Sequence, residues 1–126
     1  MTPNVLKNSS PPPDSAGIWT EERCFIIETW NHPSDPGVSL ARARVEPGVT
    51  TARHSLAVDE RYLIEKGWGR VEIDGIETDV RPGDVVLIPR GTTQRIQNLG
   101  DEDLVFSCVC TPRFEPAHYQ DREASG

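Results

Sequence analysis

Between residues 24 and 110 the chain is cut into nine short stretches in which apolar and polar residues alternate, each closed by turn-forming residues such as Gly, Pro, Asp or Asn. They span 24–30, 38–45, 50–56, 60–65, 69–73, 76–80, 84–88, 93–98 and 104–110. A period of two places successive side chains on opposite faces of a strand, and no window long enough for a helix carries a helical apolar stripe. Strands this short and this regularly interrupted close up as a sandwich or barrel, so the expected fold class is all-β. Asp74-Gly75, between two such stretches, is the strongest hairpin signal, because a tight two-residue turn needs positive φ at its centre.

Alternation also sorts the faces. Thr50, Ala52, His54 and Leu56 share one side of their strand, against Thr51, Arg53 and Ser55 on the other. Glu60, Tyr62 and Ile64 fall together, as do Gln94, Ile96 and Asn98 opposite the solvated pair Arg95 and Gln97. The less polar set in each strand is expected to point inward. Arg42 and Arg44 alternate with Ala41 and Ala43, either as an exposed stripe or as a pocket anchor for a carboxylate. His32, in a turn, and His118, near the C-terminus, read as surface residues.

The order of these residues adds a second signal. Gly48 is followed after five residues by His54, then by Leu56, Glu60 and, six residues further on, Gly67. Gly83 is followed after five residues by Pro89, then by Gly91, Gln94 and Asn98. These two stretches resemble the paired motifs of the cupin family, with the short spacer of its small one-domain bacterial members. The resemblance implies a double-stranded β-helix, a barrel of jelly-roll type. In structural terms, Gly91 suits a tight turn and Asn98 suits a strand end where its amide can bond backbone groups.

The family's usual ligand set is three His and one Glu, which this chain matches at His54 and Glu60, with Leu56 and Gln94 standing where the family has His. The resemblance and the strand faces together imply a metal site of His54, Glu60 and Gln94 inside the barrel, holding a divalent transition metal: Fe, Mn, Ni, Cu or Zn. The expected function is then a small-molecule enzyme with lyase, isomerase or dioxygenase chemistry, in which Glu60 and Tyr62 are the candidate catalytic residues. The alternative is a non-catalytic cupin that binds a small ligand over a degenerate metal site. For the single residues, His54 either ligates an ion or closes a metal-free polar cluster with Glu60 or Gln94. Tyr62 is either a proton donor or a core aromatic.

Composition bounds the rest. A chain of 126 residues has room for one domain. Residues 1–17, with Pro11, Pro12 and Pro13, read as a flexible tail, residues 18–114 as the barrel, and residues 115–126 as an irregular arm. Phe114, just before that arm, and Tyr119 within it are expected to pack back on the barrel, with fraying from Asp121 onward. No continuous apolar run suits a signal peptide or a membrane span, so a cytoplasmic protein with no membrane contact is expected. A net charge of −7 without any Lys/Arg cluster repels phosphate backbones and argues against nucleic acid as a partner. The apolar content of 36% is modest for so small a domain, so burial against a second copy is favourable and a homodimer is expected. Cys24, Cys108 and Cys110 are expected to be reduced thiols, since Cys108 and Cys110 share a strand face and cannot readily bridge each other.

Overall fold

The computed structural model describes residues 17–123. Eleven strands form two antiparallel sheets. They are β1 (Ile18–Trp19), β2 (Phe25–Trp30), β3 (Ser39–Val45), β4 (His54–Leu56), β5 (Asp59–Lys66), β6 (Gly69–Ile73), β7 (Ile76–Val80), β8 (Val85–Ile88), β9 (Gln94–Asn98), β10 (Leu104–Thr111) and β11 (Tyr119–Asp121). One sheet runs β1-β2-β3-β10-β5-β8 and the other β11-β4-β9-β6-β7. Because sequence neighbours repeatedly cross between sheets, most of the burial is long-range. Val45, Ile64, Leu104 and Phe106 from the first sheet meet Val71 and Ile96 from the second in one core. The all-β class expected from the alternation and the jelly-roll barrel implied by the resemblance are what the chain adopts. No helix among the described residues is long and apolar enough to cross a membrane.

Asp74 and Gly75 take φ of 49° and 84° and close the β6–β7 hairpin between the paired Ile73 and Ile76. The Asp74 carboxylate then accepts from the Thr93 backbone at 2.8 Å and its hydroxyl at 3.0 Å, tying the turn to the start of β9. Gly67 ends the first motif for a steric reason. At φ 88°, a Cβ there would sit 2.8 Å from the Asp103 carbonyl oxygen and 2.9 Å from Leu104 Cα.

Two segments differ from expectation, and both shape the site. The strand expected over 50–56 is regular only at β4, because the residues before it leave the ladder. Thr50 makes a single bridge to Gln97, and the Ala52 N–H donates 2.9 Å to the Glu22 carbonyl in the β1–β2 turn. The C-terminal arm is also more ordered than expected. After a short 3-10 turn at Pro116–His118, β11 pairs antiparallel with β4, Asp121 opposite His54 and Tyr119 opposite Leu56. β4 pairs with β9 only at His54 and Gln94, and the arm supplies partners for the backbone groups on its other edge. The expected tail at residues 1–17 lies outside the described residues except for Gly17.

Candidate functional site

A cavity of about 490 Å³ opens between the two sheets. His54 and Leu56 of β4, Glu60 and Tyr62 of β5, and all three cysteines line it, so alternation places these side chains where the face assignment put them. Gln94 is buried beside this group but does not reach the cavity wall. Its Oε1 accepts a 2.5 Å hydrogen bond from the Tyr62 hydroxyl. The same phenol packs against Phe106 at 4.4 Å between ring centroids, and burial holds its pKa well above the ordinary value. Tyr62 is thus tied into the core by both its face and its hydroxyl.

His54 is held on three sides. Its Nδ1 lies 2.9 Å from the Ala52 carbonyl oxygen, which can only accept, so Nδ1 carries a proton. Its Nε2 lies 3.2 Å from Glu22 Oε1, and the Tyr119 ring stacks on the imidazole at 5.0 Å. With Nδ1 protonated, the contact between Nε2 and Glu22 holds one proton, carried either by the imidazole or by the carboxyl. Burial raises the Glu22 pKa and the neighbouring His54 opposes that rise, which suits a shared proton.

Glu60 comes from the opposite sheet and is only 7% exposed. Burial pushes its pKa up to about 7, with the nearby Glu22 charge adding to the rise and the Gln94 amide and two thiols opposing it. The Gln94 amide is near enough to favour the carboxylate, yet neither Gln94 Nε2 nor Glu60 Oε1 has a hydrogen-bond partner of normal geometry. Glu60 Oε2 has one weak contact, the Cys110 thiol at 3.8 Å. The thiols themselves are free. Burial raises all three, Cys24 and Cys110 to about 12 and Cys108 well above its ordinary value. None is a thiolate near neutral pH, and so none is poised as a nucleophile.

The donor atoms at this centre do not fit a resident divalent metal. Both His54 nitrogens are engaged, the Gln94 oxygen is taken by Tyr62, and Leu56 brings only carbon. No group of three or more His, Cys, Asp or Glu among the described residues is arranged to hold an ion.

Glu22 was not legible beforehand as a lining residue, and Tyr119, expected to pack back on the barrel, was not read as a partner of His54. Glu22 sits in the hydrophilic run Glu21-Glu22-Arg23, which reads as a solvated turn. What turns it inward is the tight β1–β2 connection: the Thr20 N–H bonds the Cys24 carbonyl at 3.0 Å, Arg23 takes φ 63°, and the Glu22 carbonyl captures Ala52. Tyr119 reaches His54 only because β11 adds to β4. Arg42 and Arg44 do not line the cavity; they pair with Glu65 at 3.1 Å and Asp103 at 3.4 Å, so the anchoring role is not theirs.

Comparison with known proteins agrees with this architecture. Residues 41–110 match the cupin domain family Cupin_2. An uncharacterized protein of Methanocaldococcus jannaschii, MJ1618, is 34% identical over 102 residues, covering 78% of this chain and 79% of that protein. A conserved protein with a double-stranded β-helix domain from Klebsiella pneumoniae superposes with a TM-score of 0.75 at 16% identity, covering 91% of this chain and 97% of its own. A Cupin 2 conserved barrel protein from Salinispora arenicola gives 0.73 at 20% identity, with 91% and 93% covered. The match spans more than half the chain and includes both motifs, from Gly48 to Asn98, and the chain belongs to the Cupin_2 family of cupin domains.

Proposed function

We propose that the barrel binds a small, mostly apolar organic molecule by one polar head and moves a proton on it without a resident metal, as a lyase or isomerase does. The observation that carries this reading is Glu60: a buried carboxyl on the wall of a 490 Å³ cavity, titrating near neutrality, with one oxygen unpartnered. An unpaired buried polar group is costly unless something completes it, and a ligand head is the natural partner. The volume lies within the range of about 300 to 1,000 Å³ common for small-molecule sites.

In this reading Glu60 holds the head and exchanges a proton with it. The Glu22–His54 pair is the second acid–base unit. As its shared proton passes to His54, Glu22 becomes a carboxylate able to take a proton from carbon, and the C–H electron pair moves into the substrate. Tyr62 positions Gln94 beside Glu60. Dioxygen chemistry on a metal at His54, Glu60 and Gln94 is not adopted, because the donor atoms of two of the three are already engaged.

The test is solvent exchange. Ligands found by a fragment screen are incubated with the protein in heavy water, and their carbon-bound protons are followed by NMR. Exchange that is catalysed by the wild type and lost in Glu22→Gln supports the acid–base reading. Ligands that bind without any exchange leave the barrel as a binding module, a reading that Leu56, standing where the family has His, also favours. Copies are further proposed to pair through the outer face of the β5–β8 edge, where Leu63, Val85 and Leu87 are exposed, and the three free thiols suit a reducing compartment such as the cytoplasm.

A further inference from the structure

Charge is distributed one-sidedly around the cavity. Three carboxyls line it, Glu22, Glu28 and Glu60, and among the described residues no Lys or Arg does. Arginines lie elsewhere in ion pairs: Arg53 and Arg95 with Glu72, Arg90 with Asp59, Arg113 with Glu115. Glu28, exposed at the rim, accepts from the Asn31 amide at 2.5 Å, and Glu22 shares its proton with His54. That leaves Glu60, more than nine-tenths buried and with Oε1 unpartnered, as the group with unmet bonding capacity on the wall. The same cavity is lined by aromatic and aliphatic side chains, among them Tyr62, Phe106, Phe114 and Leu56.

We propose that the ligand head is a cation, a protonated primary or secondary amine on an apolar body, held by the Glu60 carboxylate within this aromatic cavity. This rests on the pocket reading given above and names its ligand class. An ammonium supplies what Glu60 lacks, a charged donor in a dry site, where such a bond is strongest. Aromatic faces attract a cation as well. An anionic head would meet three carboxyls, Glu22, Glu28 and Glu60, and the one basic side chain on the wall among the described residues, His54, already faces Glu22, while a neutral head would leave the ionised form of Glu60 uncompensated.

The experiment compares three probes with the same phenylalkyl body and different heads: phenethylamine, phenethyl alcohol and hydrocinnamate, titrated calorimetrically into wild type and Glu60→Gln above neutral pH. The expected result is that the amine binds wild type about tenfold more tightly than the alcohol, that the carboxylate binds most weakly, and that Glu60→Gln removes the amine's advantage over the alcohol. Alcohol or carboxylate binding as tightly as the amine overturns the cation while leaving the pocket reading intact. Binding of the amine that is insensitive to Glu60→Gln places it elsewhere and also overturns the proposal. If none of the three binds, the pocket reading falls and the cation with it. The wild-type series decides the charge preference even if the variant does not fold.

Discussion

His54 and Glu22 are 32 positions apart in sequence, yet their Nε2 and Oε1 atoms meet at 3.2 Å and share a single proton, because the opposite ring nitrogen is already committed to the Ala52 carbonyl. The contact depends on the β1–β2 turn holding Ala52 by its backbone, so the same bond that shortens β4 brings the carboxyl to the ring. His54→Ala removes the stacked partner of Tyr119 and leaves the Ala52 carbonyl and Glu22 unsatisfied. The expected loss of stability is about 3 kcal/mol in urea unfolding. A loss below about 0.5 kcal/mol would mean that the pair is not formed in solution.

Glu60 gives stability a specific pH dependence. Its carboxyl titrates near 4.5 when exposed and is pushed up to about 7 in the folded barrel, so between those values the folded state binds more protons than the unfolded chain. Stability therefore falls as pH rises through this window, by up to about 3 kcal/mol, and is flat in this respect above it. Glu22, also raised by burial, adds in the same direction. Glu60→Gln keeps the shape and removes the titration. Unfolding free energies of this variant across the window should lose most of the slope and exceed wild type on the alkaline side.

Tyr62→Phe separates a structural hydroxyl from a catalytic one. The phenol donates to Gln94 and does not ionise near neutral pH, so its loss strands a buried amide oxygen at a cost of about 1 to 2 kcal/mol. Amine binding and ligand proton exchange are expected to persist in the variant. Complete loss of exchange with binding retained would move Tyr62 into the proton-transfer machinery.

Metal uptake tests the engaged donors directly. Wild type exposed in turn to iron, manganese, nickel, copper and zinc salts and then desalted should retain far less than one equivalent by elemental mass spectrometry. Leu56 shares the His54 side of β4 and lines the same cavity. Leu56→His should therefore raise uptake, most of all when combined with Glu22→Gln, which weakens the claim on His54 Nε2. Stoichiometric metal in wild type, lost on His54→Ala, would show that the ring leaves Glu22 for the ion.

The outer face at β5 and β8 predicts the assembly. Leu63 and Val85 are paired across the strands and Leu87 follows on the free edge, exposed by 40%, 58% and 67%. A charge in this patch, Leu87→Glu, should shift a dimer to monomer in light scattering without unfolding the barrel. A wild-type monomer at high concentration would remove the proposal.

Alternation made much of the barrel legible. His54 with Leu56, Glu60 with Tyr62 and Ile64, and Gln94 with Ile96 and Asn98 all point inward as a period of two requires, and Asp74-Gly75 closes its hairpin because few other pairs tolerate positive φ twice. The C-terminal arm was legible only in part. Tyr119 and Phe114 were expected to pack back and do so, but the β11 ladder was not foreseen, since an edge strand's pairing depends on which edge is left open.

What the sequence determined by itself is therefore the class of fold, the inward set on each strand and the two motifs, all of which rest on local periodicity and spacing. What only the tertiary structure decided is who bonds to whom inside. His54 turns to Glu22 rather than to Glu60, Gln94 gives its oxygen to Tyr62, and Glu60 is left with one oxygen lacking a hydrogen-bond partner, because partners across a barrel are chosen by the placement of distant turns and edges that no local pattern encodes.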